Sequence, residues 1–116
     1  MAVLCVEDLD HLGLTVSDIK ATCRFYQQVL GMTPFTFGSG RTALSFGSRT
    51  INLHEAGKGD FPQAHNPLPG TADLCFLSRT PVVEMLDHLK ANDVPVEEGP
   101  VRREGALGPI TSVYFR

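Results

Sequence analysis

Apolar and polar residues alternate along the stretch that ends at Val16: Leu12, Leu14 and Val16 fall on one side of an extended chain, and His11, Gly13 and Thr15 on the other. A period of two marks a strand with one face on a core, so Asp8 to Val16 is expected to be a β-strand with His11 pointing away from that core. The period then changes. Ile19, Cys23, Tyr26 and Leu30 recur at helical spacing, with Phe25 and Val29 beside them, which predicts a helix of about three turns. Ser17 is its expected N-cap, Asp18 suits the positive end of the helix dipole, and Gly31 supplies the stop. The apolar stripe of this helix needs a sheet to cover, and the Leu12, Leu14, Val16 face is the one at hand.

Three short apolar segments follow, Met32 to Phe37, Thr42 to Phe46 and Thr50 to His54, parted by Gly38-Ser39-Gly40 and Gly47-Ser48. This is the pattern of a three-stranded meander. In its last strand Ile51 and Leu53 face one way, and Asn52 and His54 the other. From Glu55 to Gly70 the chain is rich in glycine and proline without periodicity, which predicts a surface connection in which His65 is solvated. The pattern then restarts. Ala72 to Leu77 reads as a strand, Thr80 and Pro81 open a helix with a Val82, Met85, Leu86, Leu89 stripe, and Asn92 and Asp93 close it. Glu84 and His88 lie four apart on the solvated face of that helix. Two further strands, Val94 to Gly99 and Ile110 to Phe115, flank a loop at Gly105 to Pro109.

His11-Leu12-Gly13-Leu14 stands against Asp73-Leu74-Cys75-Phe76, each followed by a short turn and a helix, so the order of elements repeats within the chain. The predicted architecture is one α+β domain over residues 1–116, built from two βαβββ modules. The first covers about 8–55, a linker 56–71, and the second about 72–116 without its last strand.

Composition narrows the function. At 116 residues the chain is large enough for one core and too small for two independent ones. A net charge of -3 and no clustered basic stripe argue against a nucleic-acid surface. No apolar run approaches the roughly 18 residues of a membrane span, and Met1 to Val6 is too short and lacks the basic residues of a secretory signal, so the expected location is the cytoplasm. Cys5, Cys23 and Cys75 are odd in number and far apart, which predicts neither disulfides nor a thiolate zinc site. Cys23 and Cys75 sit in apolar runs and are expected to act as small buried hydrophobes, with Cys5 exposed.

If two βαβββ units set their sheets side by side, their polar faces line a trough into which His11, Asn52, His54 and Asp73 point. Alone, His11 would be a rim histidine satisfied by water. With a second imidazole and two oxygen donors on matching faces, the four form a candidate divalent-metal site, with zinc, nickel, manganese or iron as the cation. Thr15 and Asn52 are candidates to fix the histidine tautomer.

The residues that carry a wider likeness are Asp10-His11-Leu12-Gly13-Leu14-Thr15-Val16, Phe25-Tyr26-Gln27-Gln28-Val29-Leu30-Gly31-Met32 and Ile51-Asn52-Leu53-His54-Glu55. Pro69-Gly70-Thr71-Ala72-Asp73-Leu74-Cys75-Phe76 and Glu97-Glu98-Gly99-Pro100-Val101 add to them. Through these the chain resembles the vicinal oxygen chelate superfamily, which includes glyoxalase I, fosfomycin-resistance proteins, methylmalonyl-CoA epimerase and extradiol dioxygenases. Within it the strongest likeness is to the glyoxalase domain-containing protein 5 group. The resemblance implies the glyoxalase/bleomycin resistance/dihydroxybiphenyl dioxygenase-like fold and a metal cup with ligands from the first strand of each half and the last strand of one or both. His11 matches the first-strand ligand. Asp73 stands where many members have a second histidine, which implies a harder-ligated or weaker site, and Asn52 stands where glyoxalase I has a glutamate. His54 is placed to substitute from nearer the rim.

The family's closing segment, with a further glutamate ligand, does not follow Tyr114-Phe115-Arg116, which implies a longer chain or a partner that fills the gap. The expected activity is metal-dependent lyase or isomerase chemistry on a small substrate with two neighbouring oxygens, in a homodimer. Dioxygenase chemistry is an alternative, as is sequestration without catalysis, in which Phe35, Phe37, Phe46 and Phe61 would line the trough. No general base is assigned: Glu55 is near His54, but alternation turns it outward.

Overall fold

The first strand, β1 (Asp8–Val16), is followed by helix α1 (Ile19–Leu30) and by strands β2 (Thr33–Phe37), β3 (Arg41–Phe46) and β4 (Arg49–Glu55), much as the alternation requires. The computed structural model describes residues 4–59 and 63–116, so Phe61 lies outside the described residues. The N-cap of α1 is Asp18 and not the expected Ser17. The extended backbone of Asp18 lets its carboxylate accept from the Ala21 N–H at 3.0 Å, so this acid satisfies an orphan helix donor directly. Gly31 ends the helix in the left-handed conformation, φ 70°, and its N–H returns to the helix carbonyls, a conformation that a Cβ would strain.

The helix stripe meets the sheet face foreseen for it. Leu44, Ile51 and Leu53 form the buried core, and Leu14, Val16, Ile19, Cys23, Tyr26 and Met32 pack against it. Burial of a side chain such as Leu44 contributes about 1.5–3 kcal/mol. Phe25 and Val29, at the edge of the stripe, remain exposed.

The second run contains β5 (Ala72–Leu77), α2 (Val82–Ala91), β6 (Glu98–Gly105) and β7 (Gly108–Tyr114). The order of elements therefore repeats, as far as the third strand of the second copy. Helix α2 starts later than predicted. Pro81 is its N-cap and offers no side-chain acceptor, while the Thr80 N–H is taken up by the Ser78 hydroxyl at 3.1 Å. Strand β6 begins at Glu98, four residues beyond the expected start at Val94, and runs on to Gly105. The expected loop between the last two strands shrinks to the tight connection Ala106-Leu107. The arginines of β6 explain part of that extension: Arg103 lies 2.9 Å from Glu98 and over the Tyr114 ring, which holds the hairpin through polar and cation–π contact. Glu84 is exposed and His88 half-buried on α2.

The strands form a five-stranded sheet in the order β2-β3-β4-β1-β5 and a separate two-stranded sheet of β6 and β7. Strand β1 runs parallel to β4, and β3 is antiparallel to both β4 and β2. Backbone contacts divide the chain into two compact units, one of Leu9–Cys75 and one in which Phe76–Arg116 joins the residues up to Asp8. Among the described residues no helix is long and apolar enough to cross a membrane.

Candidate functional site

Paired residues in a sheet share a face, so the register places side chains before any contact is measured. Gly13 pairs with Asn52, which pairs with Ala43, which pairs with Phe35. One row on the polar face thus crosses four strands. The next rows set His11 against Thr50 and Thr15 against His54. This face lies wholly within the Leu9–Cys75 unit.

Two side-chain clusters form on it. In the first, His54 Nε2 lies 3.3 Å from Asp73 Oδ2. His54 is 2% exposed and its strand neighbour Thr15 is 1% exposed, so His54 is buried and not the rim residue that the sequence suggested. Strand β1 lies between β4 and β5 in the sheet, so side chains from all three meet on this part of the polar face. Asp73 Oδ2 and Thr15 Oγ1 are buried without a hydrogen bond. The His54 contact is close enough for an ion pair but misses hydrogen-bond alignment. Such atoms carry unspent donor and acceptor capacity at a place where it is costly. Gly13 explains how the carboxylate reaches the site: a Cβ there would collide with both carboxylate oxygens of Asp73. The glycine opens the space that the aspartate fills.

In the second cluster, His11 Nδ1 lies 2.7 Å from Asp10 Oδ2, with His11 16% and Asp10 3% exposed. An ionised carboxylate only accepts, so Nδ1–H donates and the Nε2 lone pair is left for another partner. Cys75 completes the group: donor atoms of Asp10, His11 and Cys75 all lie within 4.8 Å of one another. Burial first, then the charges of Asp10 and Asp73, push the Cys75 thiol up from 9.0 to about 11. Cys75 is half-buried, as Cys23 is, but its surroundings are not purely apolar. Its thiol sits among charged groups, while Cys23 does pack against the core.

Of the four ligands expected from the sequence, the structure brings His54 and Asp73 together. It joins His11 to Asp10 and Cys75, and sets Asn52 opposite Gly13 with its side chain half-buried. Asp10 and Cys75 were missed. Cys75 had a signal, since it follows Asp73 by two in a strand and so shares its face. Asp10 had none, because simple alternation turns it away from His11. The donor types suit a divalent cation: among the described residues a carboxylate, an imidazole and a thiol come together at Asp10, His11 and Cys75, and on the same sheet Asp73 Oδ2 is buried without a hydrogen bond. Glu55 turns to Lys58, 3.6 Å away. His65 is exposed in the segment after β4.

Residues 8–110 match the model of the Glyoxalase/Bleomycin resistance protein/Dioxygenase superfamily. The virulence protein STM3117 of Salmonella typhimurium is 45% identical over 113 residues, 97% of this chain and 78% of its own. The glyoxalase domain-containing protein RDO1 of Mycosarcoma maydis is 48% identical over 113 residues, and the chain spans only 64% of its length. A solved integron cassette protein of Vibrio cholerae is 48% identical, with a TM-score of 0.58 over 99% of this chain and 90% of that one. With its repeated strand–helix order and a family match across nearly its whole length, the chain belongs to the Glyoxalase/Bleomycin resistance protein/Dioxygenase superfamily.

Proposed function

We propose that this protein is a divalent-metal-dependent lyase or isomerase of glyoxalase I type, acting on a small substrate with two neighbouring oxygens. The observation that carries the reading is the polar face of β1, β4 and β5, where His54 and a carboxylate oxygen of Asp73 without a hydrogen bond are buried within 3.3 Å of each other. The ligands in this reading are His11, His54 and Asp73, with Asn52 beside them, and the cation is zinc, nickel, manganese or iron. When bound there, such a cation would polarise the substrate oxygens and stabilise the enolate-like charge that develops on them.

The chain's own residues do the rest. Asp10 holds the His11 imidazole through Nδ1, which fixes the ring and leaves Nε2 open. The Thr15 hydroxyl is buried beside His54 without a hydrogen-bond partner. Burial of His54 and Thr15 excludes water from that side, which strengthens each polar contact. Elemental analysis after titration with nickel, zinc, manganese and iron tests the reading: one cation per chain is expected, and none bound at any of the four would overturn it. Incorporation of solvent deuterium beside a substrate carbonyl, across a panel of vicinal-oxygen compounds, tests the isomerase step.

A non-catalytic sequestering role is the second reading, favoured by Phe35. It lies in the same row as Asn52 and Gly13, is exposed, and sits 5.9 Å from the Phe37 ring, so an aromatic wall borders the polar face. Tight binding of a flat apolar ligand without turnover or metal would favour it. In either reading we place the protein in the cytoplasm, consistent with its three free thiols, as a homodimer. A monomer by ultracentrifugation at high concentration would reject the dimer.

A further inference from the structure

The metal reading leaves the nature of the cation open, and the Asp10, His11, Cys75 cluster bears on it. Sequence had pointed to a hard donor set, of imidazole with carboxylate and amide oxygens. The structure adds sulfur. Donor atoms of Asp10, His11 and Cys75 lie within 4.8 Å of one another, the span across which ligands of one ion are found once they close on it. The cluster is built and not incidental to the surface: Asp10 is 3% exposed, and its carboxylate holds His11 at 2.7 Å. On β5, Asp73 stands two residues before Cys75, and its buried Oδ2 has no hydrogen bond. That anionic oxygen, buried without a hydrogen bond and with only the longer His54 contact at 3.3 Å, is a second and separate sign that the face is arranged for a cation.

We propose that Cys75 is a sulfur ligand, and His11 a nitrogen ligand, of a thiophilic divalent cation of the zinc type, with Asp10 orienting the imidazole. The inference rests on the metal reading above and narrows it. Thiolate and imidazole together select zinc-like cations over magnesium and manganese, which prefer oxygen. Binding exchanges the thiol proton for the cation: the S–H bond breaks, the proton leaves to solvent, and a sulfur–metal bond forms with no change of oxidation state.

Cobalt(II), a spectroscopically visible stand-in for zinc, supplies the test. Titration of the purified protein is expected to give one bound cobalt with a near-ultraviolet thiolate-to-cobalt charge-transfer band. That band should be lost in Cys75→Ser and kept in Cys5→Ser, and zinc should bleach it where magnesium and manganese do not. A measurement on the unaltered chain guards against a misfolded variant: zinc should slow alkylation of Cys75, located by peptide mapping, by roughly tenfold or more, and leave the exposed Cys5 unaffected. Stoichiometric cobalt without the thiolate band, and equal alkylation of Cys75 with and without zinc, would remove sulfur from the site while the metal reading stood. No stoichiometric cobalt, nickel, manganese or iron at all would overturn both.

Discussion

The two clusters on the polar face share strands β1 and β5, the first reaching β4 as well, and resemble each other little. The His54, Asp73 pair is buried and short of hydrogen bonds; the Asp10, His11, Cys75 group is better supplied with contacts, and its imidazole is part-exposed. A histidine closed in by its neighbours contributes to packing whatever else it does, whereas a part-open histidine oriented by a carboxylate is free to take a ligand. The contrast teaches that residue type alone does not say how open a candidate ligand is to an incoming cation. Burial and the direction of the second ring nitrogen do.

The sharpest way to break this contrast is to remove each histidine in turn. His11→Ala should abolish stoichiometric metal binding, a loss of roughly a hundredfold or more in affinity. Unaltered metal content by elemental analysis would erase the distinction. His54→Ala should instead cost about 2–4 kcal/mol in urea unfolding, because it opens a cavity and leaves the Asp73 carboxylate without its partner.

Gly13→Ala tests how the two strands share space. Its methyl group would occupy the position of the Asp73 carboxylate, so about 1–3 kcal/mol of stability should be lost. Combining it with Asp73→Gly should recover much of that loss, a coupling that a double-mutant cycle reads directly. Additive losses would mean that the carboxylate is not what the glycine accommodates. Outside the clusters, Asp18→Ala should cost about 1 kcal/mol through the lost cap of α1. Pro81→Ala at the start of α2 removes no side-chain hydrogen bond, so thermal melts should separate the two.

The smallest effect is on pH. With Cys75 raised from 9.0 to about 11 in the folded metal-free protein, the unfolded thiol ionises first as pH rises. The unfolded state then binds fewer protons than the folded one, so the contribution of Cys75 to stability is present below pH 9.0 and is lost towards about 11. Alkylation of Cys75 should rise over the same window. A plateau already reached near pH 9 would show that neither burial nor the neighbouring carboxylates raise the thiol.

Strand and helix positions in the first half were legible because their periods are unambiguous. Leu14 and Val16 against Ile19 and Tyr26 are a pattern of two meeting a pattern of four, and packing honours both. Errors clustered where a boundary depends on one hydrogen bond: Asp18 displaced Ser17 as the cap of α1, and Ser78 took the Thr80 N–H ahead of α2. The apolar pattern sets a strand at Val94 to Gly99 and leaves Arg102, Arg103 and Glu104 unassigned, whereas β6 includes them, since paired hairpin strands tolerate charge on an open face.

Sequence by itself determined that Asn52 and His54 share one face of their strand, and His11, Gly13 and Thr15 one face of theirs, since alternation within a strand is a property of the backbone and needs no partner. It determined the repeated order of elements for the same reason. Only the tertiary structure decided that β5 lies beside β1, that Asp73 rests against Gly13, and that Cys75 joins Asp10 and His11. Those relations depend on which strands pair and in what register. A long-range choice of that kind is made by the packing of the whole sheet, and no local pattern records it.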